Sequence, residues 1–139
     1  MSDCVFCKIV AGEIPSTKVH EDALTLAFMD IGQINPGHVL VAARPHVENI
    51  FGLDDALAAA VFQSAARVAR AVKKAYAPEG VTLYQANGAA ASQTVFHFHL
   101  HIVPRYYDDG MYLAWPAKYP PREKLEENAE RIRDALKTG

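Results

Sequence analysis

The sequence predicts an α+β fold, with an antiparallel sheet of about five strands, one long helix and a C-terminal helix. Three observations carry that expectation. Short apolar runs bounded by turn residues lie on both sides of a single long stretch of helical periodicity. The turn signal Asn35-Pro36-Gly37 separates two of those runs, which makes antiparallel pairing the economical choice. The order strand, strand, helix, strand, strand then suits helices laid on an antiparallel sheet.

Taken in order, Phe6-Cys7-Lys8-Ile9-Val10-Ala11 is a short helix stopped by Gly12, and Pro15 bars its continuation. Leu24 to Met29 and His38 to Ala43 are strands. From Asp54 to Tyr76, Leu57, Val61, Ala65, Val68 and Val72 recur at helical spacing; Asp54 can cap the start and Pro78 marks the end. Val81 to Gln85 is a further strand, Asn87 to Ser92 a loop of small residues, and Val95 to Val103 the last strand. Pro104, Pro116, Pro120 and Pro121 make the next stretch irregular before a charged helix from Arg122 to Leu136. One domain over 1–139 is expected, with its core at about 4–105 and a tail and helix at 106–139.

Half of the 139 residues are apolar, enough for a core. A formal charge of −2 without a Lys/Arg block argues against binding long nucleic acid, whereas a small anion needs only a few local donors. No apolar stretch approaches the roughly 20 residues of a membrane span, and the start lacks a basic and then hydrophobic leader, so a cytoplasmic location is expected. Both cysteines fall in Cys4-Val5-Phe6-Cys7. They are too few and too close for a disulfide framework, which leaves metal ligation or redox chemistry.

The chemistry concentrates in Val95-Phe96-His97-Phe98-His99-Leu100-His101-Ile102-Val103. Period two puts His97, His99 and His101 on one face of the strand, with Phe96, Phe98, Leu100 and Ile102 on the buried face. Two chemistries suit three such imidazoles. As ligands of one catalytic metal they are strained, because i and i+4 start about 13 Å apart at ~3.3 Å per residue while a Zn–N bond is ~2.0 Å. As a nucleophile with supporting neighbours they fit better, with His99 best placed. Attack through one ring nitrogen requires the other to donate its proton to a fixed acceptor, a role open to a backbone carbonyl of the same strand.

The run His97-Phe98-His99-Leu100-His101-Ile102-Val103 resembles the His-φ-His-φ-His-φ-φ signature of the histidine-triad (HIT) family, where φ is apolar. Asp30…Asn35-Pro36-Gly37-His38-Val39-Leu40-Val41 is similar to the family's second landmark, and Ser92-Gln93-Thr94-Val95 to its Gly-Gln-[Ser/Thr]-Val lead-in. The resemblance covers most of the first 105 residues and points to the zinc-containing bacterial-type branch. It implies a HIT-like fold and a nucleotide hydrolase or nucleotidyl transferase acting at the α-phosphate.

By that resemblance His99 is the nucleophile, transiently nucleotidylated, and His101 hydrogen-bonds the phosphate oxygens. Thr94 and Gln93 lie near the bridging or leaving atom, where a hydroxyl can relay a proton. Asp30 matches the position that binds the ribose hydroxyls, and His38 supports the site through hydrogen bonds. Val5, Phe6, Ile9, Phe28 and Ile31 correspond to base contacts, and Asn87 with Gly88 opens the loop near phosphate. Ser92 replaces the usual glycine; a requirement for positive φ there would put the phosphate contact in doubt.

Cys4-x-x-Cys7 is half of a tetrahedral zinc site. Related proteins complete it with a histidine after the second strand and with the first of the triad, which correspond here to His46 and His97. Four protein ligands would make the zinc structural. The resemblance also implies a purine nucleotide or nucleotidyl substrate, of phosphoramidate, adenylylated-amine or dinucleoside-polyphosphate type, and a homodimer. The alternative class is a nucleotide-binding scaffold or regulatory protein with incidental hydrolysis.

Overall fold

The computed structural model describes residues 3–139. In order they form α1 (Val5–Val10), β1 (Lys18–Glu21), β2 (Thr25–Met29), β3 (Val39–Ala43), α2 (Asp55–Tyr76), β4 (Gly80–Tyr84), β5 (His99–Arg105) and α3 (Arg122–Thr138). The fold is α+β as expected, with one five-stranded antiparallel sheet in the order β1-β2-β3-β5-β4. One compact unit ends at Asp109, and Gly110–Gly139 forms a second.

Both faces of the central strands are covered, which is why β2 and β3 read as almost continuous apolar runs. On one face Leu26, Phe28, Leu40 and Ala42 pack against Phe6 and Ile9 of α1. On the other, Ala27, Val39, Val41 and Ala43 meet Leu57, Val61, Ala65, Val68 and Val72 of α2. Leu100 and Ile102 join the α2 side, so the strand period turns His99 and His101 toward α1. Pairing fixes their height: Ala42 lies opposite His99 and Leu40 opposite His101.

Asp54 caps α2 by accepting from the Leu57 N–H at 2.8 Å. The helix ends on Ala77 in the left-handed region, at φ 47°. In the second unit Pro121 precedes α3, whose exposed surface carries Arg133 paired with Glu126 and Glu130.

Three expectations need correction. β1 is a strand beyond those expected, because its Lys-Val-His-Glu sequence is mostly exposed and carries no apolar alternation. The histidine strand begins at His99, not Val95, so His97 precedes it; Phe98 N–H donates to the Val47 carbonyl, and Phe96 is 42% exposed rather than buried. Finally, β5 continues through Pro104 to Arg105. Its register with β3 ends at Ile102, so beyond that point a proline without an N–H interrupts no pairing on that side.

Candidate active site and metal centre

The α1 side of the sheet carries an open cleft of about 950 Å³, whose lining includes the apolar Val5, Phe6, Ile9, Ile14, Phe28 and Ile31 and the polar Asp30, Thr94, His99 and His101. Phe6 joins the two sets. Its ring packs edge-on against Phe28, at 5.4 Å between centroids, and against His99, at 4.9 Å. Val5 and Ile31 are exposed on the rim, Ile31 fully, whereas Phe6, Ile9 and Phe28 belong to the core as well as to the cleft wall.

Hydrogen bonds set the tautomers. His99 Nδ1 lies 2.7 Å from the His97 carbonyl oxygen, which accepts its proton and leaves Nε2 with a lone pair. His38 is reached at Nδ1 by the Ile34 N–H, at 3.1 Å, so its own proton sits on Nε2. That Nε2–H donates to His101 Nδ1 at 2.9 Å, which in turn places the His101 proton on Nε2. Two rings of opposite character result. His99 offers a lone pair and His101 a donor.

Burial lowers the basicity of all of these rings. It is the largest influence on His99, His38 and His97, and it pushes His101 down to about 4 together with the neighbouring His99 and His38, against the opposing pull of Asp30. Neutral imidazoles follow near pH 7. Asp30 Oδ2 is 3.3 Å from His38 Nε2 and 3.7 Å from His101 Nδ1, while Oδ1 accepts from the Gly32 N–H at 2.8 Å.

Gln33, to which no sequence pattern points, holds this corner. Its Oε1 accepts from the N–H groups of Gly37 and His38, and its Nε2 donates to the carbonyls of His38 and Asp30. A glutamine inside a turn gives no periodic signal. Gly37, at φ 100°, is required twice, because a Cβ there would also meet the Tyr76 ring at 2.7 Å.

Some expected residues are not brought to the cleft. Gln93 is buried, its Oε1 accepting from the Gly88 N–H and its Nε2 donating to the carbonyls of Glu48 and Val95, so it braces the loop. Asn87 exchanges amide hydrogen bonds with Gln85 and accepts from the Ile50 N–H. Ser92 does adopt positive φ, at 72°.

Cys4, Cys7, His46 and His97 form a second cluster whose ligand atoms all lie within 4.8 Å of one another. Cys4 Sγ and Cys7 Sγ are 3.3 and 3.5 Å from His97 Nδ1, and Cys7 Sγ is 3.3 Å from His46 Nδ1. A tetrahedron with Zn–S near 2.3 Å and Zn–N near 2.0 Å has S···N edges of about 3.5 Å, so the donor set matches the size of that ion. His97 Nε2 donates to the Ala43 carbonyl at 2.6 Å, which keeps the Nδ1 lone pair on the thiols, the usual backing of a metal-bound histidine. Burial, followed by the hydrogen bond and charge of Cys4, pushes the Cys7 thiol up, so metal binding there must displace a proton. Asp30, His38 and His101 also converge, but the 2.9 Å contact between the two rings is a hydrogen bond and already uses both facing nitrogens.

A sheet that aims an accepting and a donating imidazole into a cleft beside a Cys/His cluster defines the histidine-triad class. The HIT domain profile matches residues 11–108, and the chain belongs to the HIT family. The protein named "Protein hit" of Bacillus subtilis is 46% identical over 114 residues, covering 81% of this chain and 79% of that protein. The adenosine 5'-monophosphoramidase of Schizosaccharomyces pombe is 36% identical over 135 residues, covering 96% and 98%. Among solved structures, a HIT family protein from Bacillus anthracis superposes with TM-score 0.91 at 40% identity, covering 96% of each chain. A Zn-bound histidine triad family protein from Mycobacterium smegmatis gives 0.76 at 32% identity, covering 96% of this chain and 98% of that one.

Proposed function

We propose that this protein cleaves nucleotidyl substrates at the α-phosphate through a nucleotidyl-His99 intermediate. The observation that carries the reading is the His99 ring, held by the His97 carbonyl with its other nitrogen unprotonated on the cleft side. The relative named as an adenosine 5'-monophosphoramidase supports a purine phosphoramidate as the type of substrate. Dinucleoside polyphosphates present the same nucleotidyl unit.

In this account His99 Nε2 attacks the α-phosphorus; the P–N bond forms as the bond to the leaving group breaks, and the leaving atom takes the electron pair. Thr94, on the cleft wall, relays a proton from solvent to that atom, receiving one as it gives one up. His101 Nε2–H donates to a non-bridging oxygen as charge builds on it. Water then attacks the same phosphorus and releases its proton to solvent, the P–N bond breaks, and the ring regains its lone pair as a nucleoside monophosphate leaves. Asp30 accepts the ribose hydroxyls, and the base lies among Val5, Phe6, Ile9, Phe28 and Ile31. Gln93 and Asn87 act by shaping the loop before Thr94, and His38 by fixing His101.

Zinc held by Cys4, Cys7, His46 and His97 supplies structure, tying α1 to the residues ahead of β5, in line with the zinc-containing branch of the family. The Zn-bound relative supports that assignment. A homodimer completes the proposal: β4 is an edge strand whose Leu83 and Tyr84 are 41% and 38% exposed, a surface that a second copy can cover.

Turnover of a fluorogenic adenosine phosphoramidate by the wild type and by His99→Asn tests the reading. Activity confined to the wild type supports it. Activity that survives the substitution rejects covalent catalysis and favours a nucleotide-binding protein with incidental hydrolysis.

A further inference from the structure

Val5 and Phe6, which line the cleft, stand between the two sulfurs of the metal centre in Cys4-Val5-Phe6-Cys7. The helix that carries them, α1, is only six residues long, and isolated helices shorter than ~12–15 residues are marginal in water. Contacts outside the helix must therefore set its position. Among the described residues, the polar contacts that join α1 and its N-cap Cys4 to another element are those of the two thiols with His97 and His46. The other hydrogen bonds are local: Cys4 Sγ accepts from the Cys7 N–H at 3.3 Å, and the Cys4 and Cys7 carbonyls accept from the N–H groups of Lys8 and Ala11. The remaining hold is apolar, Phe6 and Ile9 against Leu26, Phe28, Leu40 and Ala42.

Phe6 touches both sites. Its ring lies edge-on to His97, at 5.9 Å between centroids, as well as to His99. A thiol is a weak hydrogen-bonding group, whereas four bonds to one ion would fix both sulfurs and with them the two residues between. The polar groups of the cleft are held differently. Asp30 is fixed by the Gly32 N–H, His101 by His38 and His99 by the His97 carbonyl, none of which belongs to α1. We propose that the metal centre and the apolar wall of the cleft are coupled: zinc on Cys4, Cys7, His46 and His97 holds Val5 and Phe6 in place, so that metal and a base-bearing nucleotide each strengthen the binding of the other. This inference rests on the zinc and nucleotide readings above. Such coupling is reciprocal, and the same factor enters both affinities.

Two measurements on the full chain test it. Calorimetric titration with AMP and with ribose 5-phosphate compares the zinc-loaded protein with protein stripped by a chelator. Competition with the same chelator gives the zinc affinity without ligand and at equal saturation with each ligand. The expected result is AMP binding about fivefold or more weaker in the stripped chain, unchanged ribose 5-phosphate binding, and a zinc affinity that AMP alone raises, by the factor lost in the first measurement. AMP affinity that ignores zinc, or an equal effect on both ligands, overturns the coupling and leaves the nucleotide reading intact. The competition is read on the folded, loaded chain, so it decides even where the stripped chain unfolds: equal protection of the zinc by both ligands would mean that the metal holds the fold as a whole and not the wall. A chain that takes up no zinc, or a zinc-loaded chain that binds no AMP, overturns the inference together with the reading concerned.

Discussion

The carbonyl oxygen of His97 accepts the Nδ1 proton of His99 at 2.7 Å, so the residue that closes the Cys/His cluster also fixes the tautomer of the ring proposed as nucleophile. Because that bond comes from the backbone of His97, it does not depend on the His97 side chain. His99→Asn is expected to lower kcat at least about a thousandfold, the scale seen when a nucleophile is removed. AMP affinity by calorimetry should change little, and equal losses in binding and turnover would count against a nucleophilic role.

In the proposed mechanism His38 acts through His101, to which its Nε2–H donates at 2.9 Å. His38→Phe keeps a ring of similar size but leaves the Ile34 N–H and His101 Nδ1 unpaired at a site where His38 is 2% exposed. A stability loss of about 1–3 kcal/mol is expected by urea unfolding. kcat should fall about tenfold to a hundredfold with KM nearly constant, less than the 10²–10³ lost with a direct oxyanion donor. Removing a neighbour that lowers the His101 pKa should move its NMR titration upward from about 4; an unmoved titration would leave His38 a purely structural role.

Acid sensitivity follows from the same ring. His101 titrates near 4 in the folded chain against 6.5 for a free histidine, so between those values the unfolded chain binds the extra proton. Its contribution to stability is whole above about pH 6.5 and is lost as the pH falls toward 4. His101→Gln should flatten the decline of the urea midpoint over that window. Parallel profiles for the two proteins would contradict the assignment.

If Cys4, Cys7, His46 and His97 hold zinc as proposed, its removal should affect the fold before the proposed chemistry. A strong chelator is expected to lower the thermal midpoint by several degrees, and Cys4→Ser to reduce bound zinc below one per chain by elemental analysis. Stoichiometric zinc in the Cys4→Ser protein would exclude the ligand set.

Two left-handed residues offer a check on the backbone. Ala77, at φ 47°, ends α2, and Ser92, at φ 72°, ends the turn before Gln93. Each carries a Cβ where glycine is unstrained, so Ala77→Gly and Ser92→Gly should each add about 0.5–1 kcal/mol in urea unfolding. A loss of stability would mean that these turns relax in solution.

The site was legible where residue type and period coincide. The alternation of His99, Leu100 and His101, the Asp54 cap and the Cys4-x-x-Cys7 spacing are local, and strand or helix geometry turns them directly into positions. What escaped depends on contacts between distant segments. Phe96 matched the apolar period but lies outside the strand, because the preceding residues follow Val47 instead of the regular ladder. Gln33 organises Asp30 and His38 from inside a turn. Gln93, selected by its place before Thr94, is turned inward by loop hydrogen bonds that no spacing reveals.

The stereochemical course at phosphorus tests the central claim most directly. A substrate with a chiral α-thiophosphoryl centre, hydrolysed in isotopically labelled water, reports the number of in-line displacements. Attack by His99 followed by attack of water inverts the centre twice, and the account predicts net retention. Net inversion would mean that water attacks the substrate directly, and it would contradict a nucleotidyl-His99 intermediate.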